Sequence, residues 1–500
     1  MLETLIFTLD SEAKTSLQMQ IRQIFVEAIL KRILLPGDKL PSSRALASQL
    51  SVSRNTVNLA YQALMDNEYI EARPRSGYVV SASAPVGRLE TARAGQSGEA
   101  GDDSAYANHD VVNWQDKLIA PLGEVRLVKK PLNWREYEYP FIYGQTDSTL
   151  FAHSQWRDCS RQALGLRDFG NTVGDFGFND DPMLLNYICS RSLPRRGIQV
   201  VQEQLLVTLG AQNALYLVAQ LLIDETKTVV IEDPSYPDLR DIVARRTDKI
   251  RTLPVDDEGM VLDEAVLSEA DIVCITPSHQ CPTTTTMSLQ RRRDLLALAS
   301  KYDFIIVEDD YEFEMNFIEK PSPALKSLDK TGHVIYVGSL SKSLFPGLRL
   351  GYLVASQRLI EQARNLRHLI LRHPPGHTQR TAAYFLALGH YEAQLRRLRR
   401  HLEVRRDVLQ QALDKEDLFE QTAAHFGGTS FWIKGPDWLD SRELAARAAE
   451  QGILIEAGDV FFAPKDPPLN YFRIAYSSIA SEKIPEGIAK LARILHKMAP

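Results

Sequence analysis

The sequence predicts an α/β protein in two parts, an N-terminal winged helix-turn-helix and a large domain built on a mostly parallel sheet. Three observations carry that prediction. Between Leu17 and Leu64 apolar residues recur at helical spacing, broken by short turn-forming stretches. From about Pro121 onward, short runs that are apolar on both faces alternate with helical stretches, the pattern of a sheet covered on both sides. Between these regions, residues 81–108 are small and polar, with too little apolar surface to offset the entropy of ordering. The boundaries drawn are 1–80 for the first domain, 81–120 for a flexible linker and 121–500 for the large domain.

Composition excludes several classes. A net charge of −6 over 500 residues gives no global sign of a nucleic-acid binder, so any such surface must be local. The four cysteines, Cys159, Cys189, Cys274 and Cys281, form no CxxC pair and no metal-ligand spacing; reduced thiols and no metal are expected. The first ten residues lack the features of a signal peptide, and no apolar run approaches the roughly 18 residues that span a bilayer. A cytoplasmic protein without a membrane segment is the expectation.

In the first domain, Leu17, Ile21, Ile24, Phe25, Ala28 and Ile29 mark one amphipathic helix, stopped by Leu35-Pro-Gly-Asp38. Pro41-Ser-Ser-Arg44 opens a second helix that turns Leu46, Ala47 and Leu50 inward, with a serine to cap it. Ser53 caps a third, whose buried stripe is Val57, Ala60, Tyr61 and Leu64. Its outward first turn, Ser53, Arg54, Asn55 and Thr56, carries side chains that can reach base edges in a major groove. Arg73-Pro-Arg-Ser-Gly-Tyr78 then lies between short apolar strands, as in a wing. Residues 1–82 hold nine Lys/Arg against eight Asp/Glu, so the favourable charge concentrates at Arg44, Arg54, Arg73 and Arg75.

Leu34-Leu-Pro-Gly-Asp-Lys-Leu-Pro-Ser-Ser-Arg44, Val52-Ser-Arg-Asn-Thr-Val57 and Ala60-Tyr-Gln-Ala-Leu64 resemble the winged-helix domain of GntR-family transcription regulators. That resemblance implies contact with double-stranded DNA by Arg44, by Ser53, Arg54, Asn55 and Thr56, and by the wing residues Arg75, Ser76, Gly77 and Tyr78.

In the large domain the strand-like runs are Leu205–Thr208, Thr228–Ile231, Asp271–Thr276, Phe304–Val307, Val334–Val337 and Leu350–Val354. In sheets of this kind ligands gather beyond the carboxyl ends of the strands. There the sequence places a small-residue turn opening a helix, Gly210-Ala211-Gln212, suited to a phosphate. It also places an aromatic residue, Tyr236, and the acids Glu308-Asp309-Asp310 followed by Tyr311 and Glu312. Next comes Ser339-Leu-Ser341-Lys342 with Arg349 behind it, and later Arg473. A phosphate cup, a stacking aromatic, an acid for a pyridinium, a lysine for an aldehyde and an arginine for a carboxylate together match the handles of pyridoxal 5'-phosphate holding an amino acid.

This order resembles the fold-type I aminotransferases over nearly all of 121–500. The resemblance implies Lys342 as the Schiff-base lysine, Asp309 on the pyridine nitrogen, Tyr311 near the phenolic oxygen and Tyr236 on the ring face. It implies Gly210, Ala211, Gln212, Ser339, Ser341 and Arg349 around the phosphate, with Arg473 on an effector carboxylate. Two departures stand out: the family's Asn-Pro-Thr-Gly reads Cys281-Pro-Thr-Thr284, and its usual tyrosine-glycine motif reads Gly174-Asp-Phe-Gly-Phe178.

A GntR winged helix tethered to such a domain resembles the MocR subfamily of regulators. The resemblance implies a head-to-tail homodimer that binds an operator with repeated half-sites. It also implies an amine or amino-acid effector, sensed through an external aldimine in place of Lys342. A working aminotransferase with an accessory DNA-binding domain is the alternative, and a cofactor-free dimerisation scaffold is a third. The effector itself, an α- or γ-amino acid, a sulfonate or the cofactor, stays open.

Overall fold

A computed structural model describes residues 9–10, 13, 15–73, 77–84, 113, 117–118, 128, 130–175, 178–317, 322–416, 420–421, 428–463 and 465–500. The chain divides into two compact units, 1–118 and 119–500. Arg75, Ser76, Phe176, Gly177 and most of the predicted linker lie outside the described residues. No helix among the described residues is long and apolar enough to cross a membrane.

The small unit contains α1 (Leu17–Leu30), α2 (Ser43–Gln49) and α3 (Arg54–Asp66), then the antiparallel pair β1 (Ile70–Arg73) and β2 (Gly77–Val80). Serine side chains open all three helices, Ser16, Ser42 and Ser53 each accepting a backbone N–H of the first turn. Ile21, Phe25, Leu46, Val57, Tyr61 and Leu64 are sealed in one core. Tyr61 packs edge-on against Phe25 and Tyr78, and its hydroxyl donates to the Pro41 carbonyl at 2.9 Å, which fixes the chain entering α2 against α3.

In the large unit the strands, in chain order, are β3 (Tyr139–Pro140), β4 (Leu205–Thr208), β5 (Val229–Asp233), β6 (Ile250–Asp256), β7 (Gly259–Met260), β8 (Ile272–Ile275), β9 (Ile305–Asp310), β10 (Val334–Ser339) and β11 (Gly351–Val354). They are followed by β12 (Glu420–Gln421), β13 (Ser430–Lys434), β14 (Ile453–Leu454), β15 (Glu456–Ala457) and β16 (Tyr471–Ala475). Eight of them form one sheet in the order β4-β11-β10-β9-β8-β5-β6-β7. The run from β10 to β6 is parallel, while β11 is antiparallel to both neighbours and β7 to β6. All six runs read from the sequence are strands of this sheet. A second sheet, β12-β13-β16-β15, stands apart. Because the central strands run parallel, the loops after β5, β8, β9 and β10 all leave from one edge, and the informative residues collect there.

Candidate functional site

Lys342 sits in the loop that leaves β10 and returns as antiparallel β11, so the loop is pinned at both ends by the sheet. It lines a cavity of about 170 Å³ together with Tyr143, Ala211, Gln212, Tyr236, Cys281, Asp309, Tyr311, Ser339, Ser341, Pro346 and Arg349. Nine residues that the sequence reading assigns to the cofactor therefore meet in one pocket, drawn from the ends of β4, β5, β9 and β10. Gly210 lies immediately behind it: its φ is +83°, and a Cβ there would approach Nη2 of Arg349 to 3.3 Å. The missing side chain lets the guanidinium cross the turn, where Nη2 donates to the Leu209 carbonyl at 3.3 Å.

β9 ends in three consecutive buried acids, and alternation along the strand separates their duties. Glu308 accepts from the backbone N–H of Leu325 and Lys326, and Asp310 takes Nε of Arg196 at 2.7 Å and the Tyr336 hydroxyl at 2.8 Å. Asp309, between them, lines the cavity, and its Oδ1 is buried without a hydrogen-bond partner. Burial, reinforced by Asp310 and Glu232, pushes its carboxyl up to about 7, against the pull of Lys342. A buried carboxylate left bare in this way fits a cationic partner such as a pyridinium. Ser341 likewise keeps a buried hydroxyl without a partner. The donor set thus fits pyridoxal phosphate, the cofactor of the fold-type I aminotransferases.

Burial lowers the Lys342 amine to about 8; Lys130 and Arg473 add to that effect and Glu312 opposes it. Its Nζ lies 3.8 Å from the centre of the Tyr143 ring. Arg473, expected to grip an effector acid, is already engaged: its Nε and Nη2 each lie 2.7 Å from Oε2 of Glu456, the residue directly opposite on β15. Its guanidinium also lies 4.0 Å from the Tyr143 ring centre. Sequence reasoning missed Tyr143 and Glu456, whose link spans 313 residues and depends on strand register. Glu312, read from the sequence only as one of the strand-end carboxylates, is buried: it accepts from the Tyr143 hydroxyl at 3.2 Å and Thr429 Oγ1 at 2.7 Å and lies 3.1 Å from Nε2 of His279. At the altered motif Cys281 faces the cavity with its thiol pushed up to about 11 by burial. Thr284 takes φ +65°, the left-handed backbone that glycine adopts without cost, and one that costs other residues about 1–2 kcal/mol.

In the small unit Arg44, Arg54 and Asn55 are exposed at the starts of α2 and α3. Ser53 Oγ accepts the Thr56 N–H at 3.0 Å and bonds the Thr56 hydroxyl at 2.8 Å, so these two side chains order the helix end from which Arg54 and Asn55 project. Gly77 has φ +83° at the turn into β2, and Tyr78 packs on Tyr61.

Residues 17–80 match the family model for bacterial regulatory proteins of the gntR family, and residues 171–491 that for aminotransferases of class I and II. Over 490 residues the chain is 45% identical to the HTH-type transcriptional regulator TauR of Rhodobacter capsulatus, covering 98% of each chain. It belongs to the MocR subfamily of GntR-type transcription regulators. The regulator is also 28% identical over 500 residues to the probable rhizopine catabolism regulatory protein MocR of Rhizobium meliloti, covering 97% of this chain and 94% of that one. Among solved structures, the α-aminoadipate aminotransferase LysN of Thermus thermophilus superposes on 77% of the regulator and 99% of its own chain, with a TM-score of 0.68 and 27% identity. The GntR match establishes a DNA-binding regulator and the longer match an aminotransferase-like domain, whose family depends on pyridoxal phosphate.

Proposed function

We propose that this regulator senses an amine or amino acid through pyridoxal phosphate held at Lys342, and that the pocket's occupancy changes how the protein engages DNA. The observation that carries the reading is the bare, buried carboxylate of Asp309 in the same cavity as a lysine whose amine is brought near 8. Asp309 would hold the pyridine nitrogen, Tyr236 the ring face and Tyr311 the phenolic oxygen. Gly210, Ala211, Gln212, Ser339, Ser341 and Arg349 would hold the phosphate. The cofactor supplies an aldehyde for which primary amines compete, and Lys342 is the chain's own competitor. With its amine near 8, Lys342 has a sizeable neutral fraction in weakly alkaline solution, the form that can add to the aldehyde.

Operator contact falls to Arg44, Arg54, Asn55 and the wing, with Ser53 and Thr56 ordering the helix end. A cytoplasmic head-to-tail homodimer would carry two such units, and their separation decides which half-sites are engaged together. Moving that equilibrium from 1:99 to 99:1 requires the effector to prefer one state by about 5.5 kcal/mol. The test is absorption titration of the purified protein with a panel of amines and amino acids. A shift of the visible cofactor band by members of the panel is expected, and a protein without such a band overturns the reading. Sustained glutamate formation from amino donors and 2-oxoglutarate would instead favour a working aminotransferase.

A further inference from the structure

Lys342 lines a second, smaller cavity as well as the cofactor pocket. This one measures about 20 Å³, and Gly144, Asp147, Glu312, Met315 and Thr429 are among the residues that line it. Its volume suits one group the size of a water molecule or an ammonium. Tyr143 joins the two spaces: its ring centre is 3.8 Å from Nζ of Lys342, and its hydroxyl donates to Glu312 at 3.2 Å. At Gly144 a Cβ would stand 2.9 Å from that Nζ, so the bare backbone there leaves the end of the lysine room beside the small cavity.

Glu312 differs from other buried acids of this unit. Asp310, Asp180 and Glu456 rest on Arg196, Arg367 and Arg473, and Asp147 in the same cavity is taken by Arg405. Among the described residues, the ion-pair neighbour of Glu312 is His279, and the Tyr143 and Thr429 hydroxyls donate to it. Against burial, which would raise it, the His279 contact, the charge of Lys342 and the Thr429 hydroxyl hold its carboxyl below the usual range. An anion kept charged in so dry a place calls for a cation, and the lysine on the same cavity is Lys342. Several other groups also act on that amine. Lys130 and Arg473, which share Glu456, disfavour its charge; Cys281 favours it, as Glu312 does more strongly, and Asp309 faces it across the cofactor pocket.

We infer that Glu312 receives the amine that Lys342 gives up when an effector displaces it, and holds that amine as an ammonium in the small cavity. The exchange balances without a further reactant. The double bond from the aldehyde carbon to Nζ passes to the incoming nitrogen, and the hydrogens that this nitrogen sheds end on Nζ. Held charged on Glu312, the lysine is drawn away from renewed attack and has no lone pair with which to take a proton from the ligand. Glu312 is thus a positioning residue that favours occupancy over turnover. The inference rests on the reading of the pocket as an amine sensor, and adds where the displaced lysine goes.

The experiment compares wild type, Glu312→Gln and Glu312→Asp as full-length, cofactor-loaded proteins. Glycine, β-alanine, 4-aminobutyrate and n-propylamine are titrated by absorbance from pH 7 to 9. Calorimetry in buffers of different ionisation heat then counts the protons released by the probe that binds best. Without the acid, Lys342 leaves uncharged and its proton goes to solvent, so binding by Glu312→Gln should gain on the wild type as pH rises. The variant should bind about tenfold more weakly at pH 7 and approach the wild type by pH 9. At pH 7 it should release about one more proton per amine bound, a count that Glu312→Asp returns to the wild-type value. A deficit equal at every pH overturns the inference, as does a Glu312→Gln protein that matches the wild type in both readouts. Loss of the cofactor band in Glu312→Gln overturns it too, because the acid would then support the resting lysine. If no probe perturbs the wild-type spectrum, the amine-sensor reading itself fails, a result distinguishable from a wild type that responds and a variant that responds identically.

Discussion

The DNA-binding surface and the cofactor pocket are assembled in opposite ways. In the small unit the outward residues Arg44, Arg54 and Asn55 lie within a dozen positions of one another, and caps at Ser42 and Ser53 orient them locally. In the large unit the pocket gathers residues from Tyr143 to Arg349, with Glu456 and Arg473 behind it, and no local interaction could bring them together. A locally built surface should lose function gradually as single contacts are removed, whereas a pocket built around one reactive amine should lose it at a stroke.

The largest expected effect follows from that difference. Lys342→Ala should abolish the visible cofactor band and every amine-induced change in operator affinity, while leaving the unliganded protein folded; a retained band would erase the distinction between the two regions. Asp309→Asn should come next. Its folded carboxyl is raised from 3.8 to about 7, so the unfolded chain holds fewer protons between those values. Stability is therefore lost as pH rises through that window, and the cost is full above it. Removing the charge should raise the Tm of the cofactor-free protein by a few degrees at pH 8 while weakening cofactor retention, a trade-off expected of a functional site. Calorimetry with and without cofactor checks both signs.

Arg54→Ala should weaken operator binding about tenfold, with cofactor loading unchanged. If the contact is to a phosphate the salt slope should also fall by about 0.9, and an unchanged affinity across a salt series would remove Arg54 from the interface. The pH dependence of Lys342 sharpens the contrast further. Its folded amine is depressed from 10.5 to about 8, so the neutral form gains as pH rises through 8. Uptake of pyridoxal phosphate by the cofactor-free protein should accelerate from pH 7 to 9, whereas operator binding, made by arginines, should not follow that profile. The smallest effect belongs to Ser53→Ala, which removes the α3 cap at a cost of about 1 kcal/mol and should weaken DNA binding only through the ordering of that helix end.

How much of this was legible in the sequence follows the same divide. Six of the eight strands of the central sheet could be read because their runs are apolar on both faces, and Lys342, Asp309 and Gly210 because each sits within a few residues of such a run. β6 escaped because it is largely exposed along its length, and the short strands of the second sheet offered no comparable run. Arg473 could be read as a cation but not as one already paired, since Glu456 becomes its neighbour only through the register of β15 on β16. Tyr143 and Lys130 carry no motif at all. Their place depends on how residues 130–144 pass beside a strand more than three hundred positions later.

The central claim is that one pocket in the large unit governs the DNA-binding unit. It is tested most directly by following cofactor absorbance and operator anisotropy in the same sample while an amino acid that shifts the band is titrated into the loaded full-length protein. The two signals should change together with a common midpoint. Saturation of the absorbance change with operator affinity unmoved would contradict it.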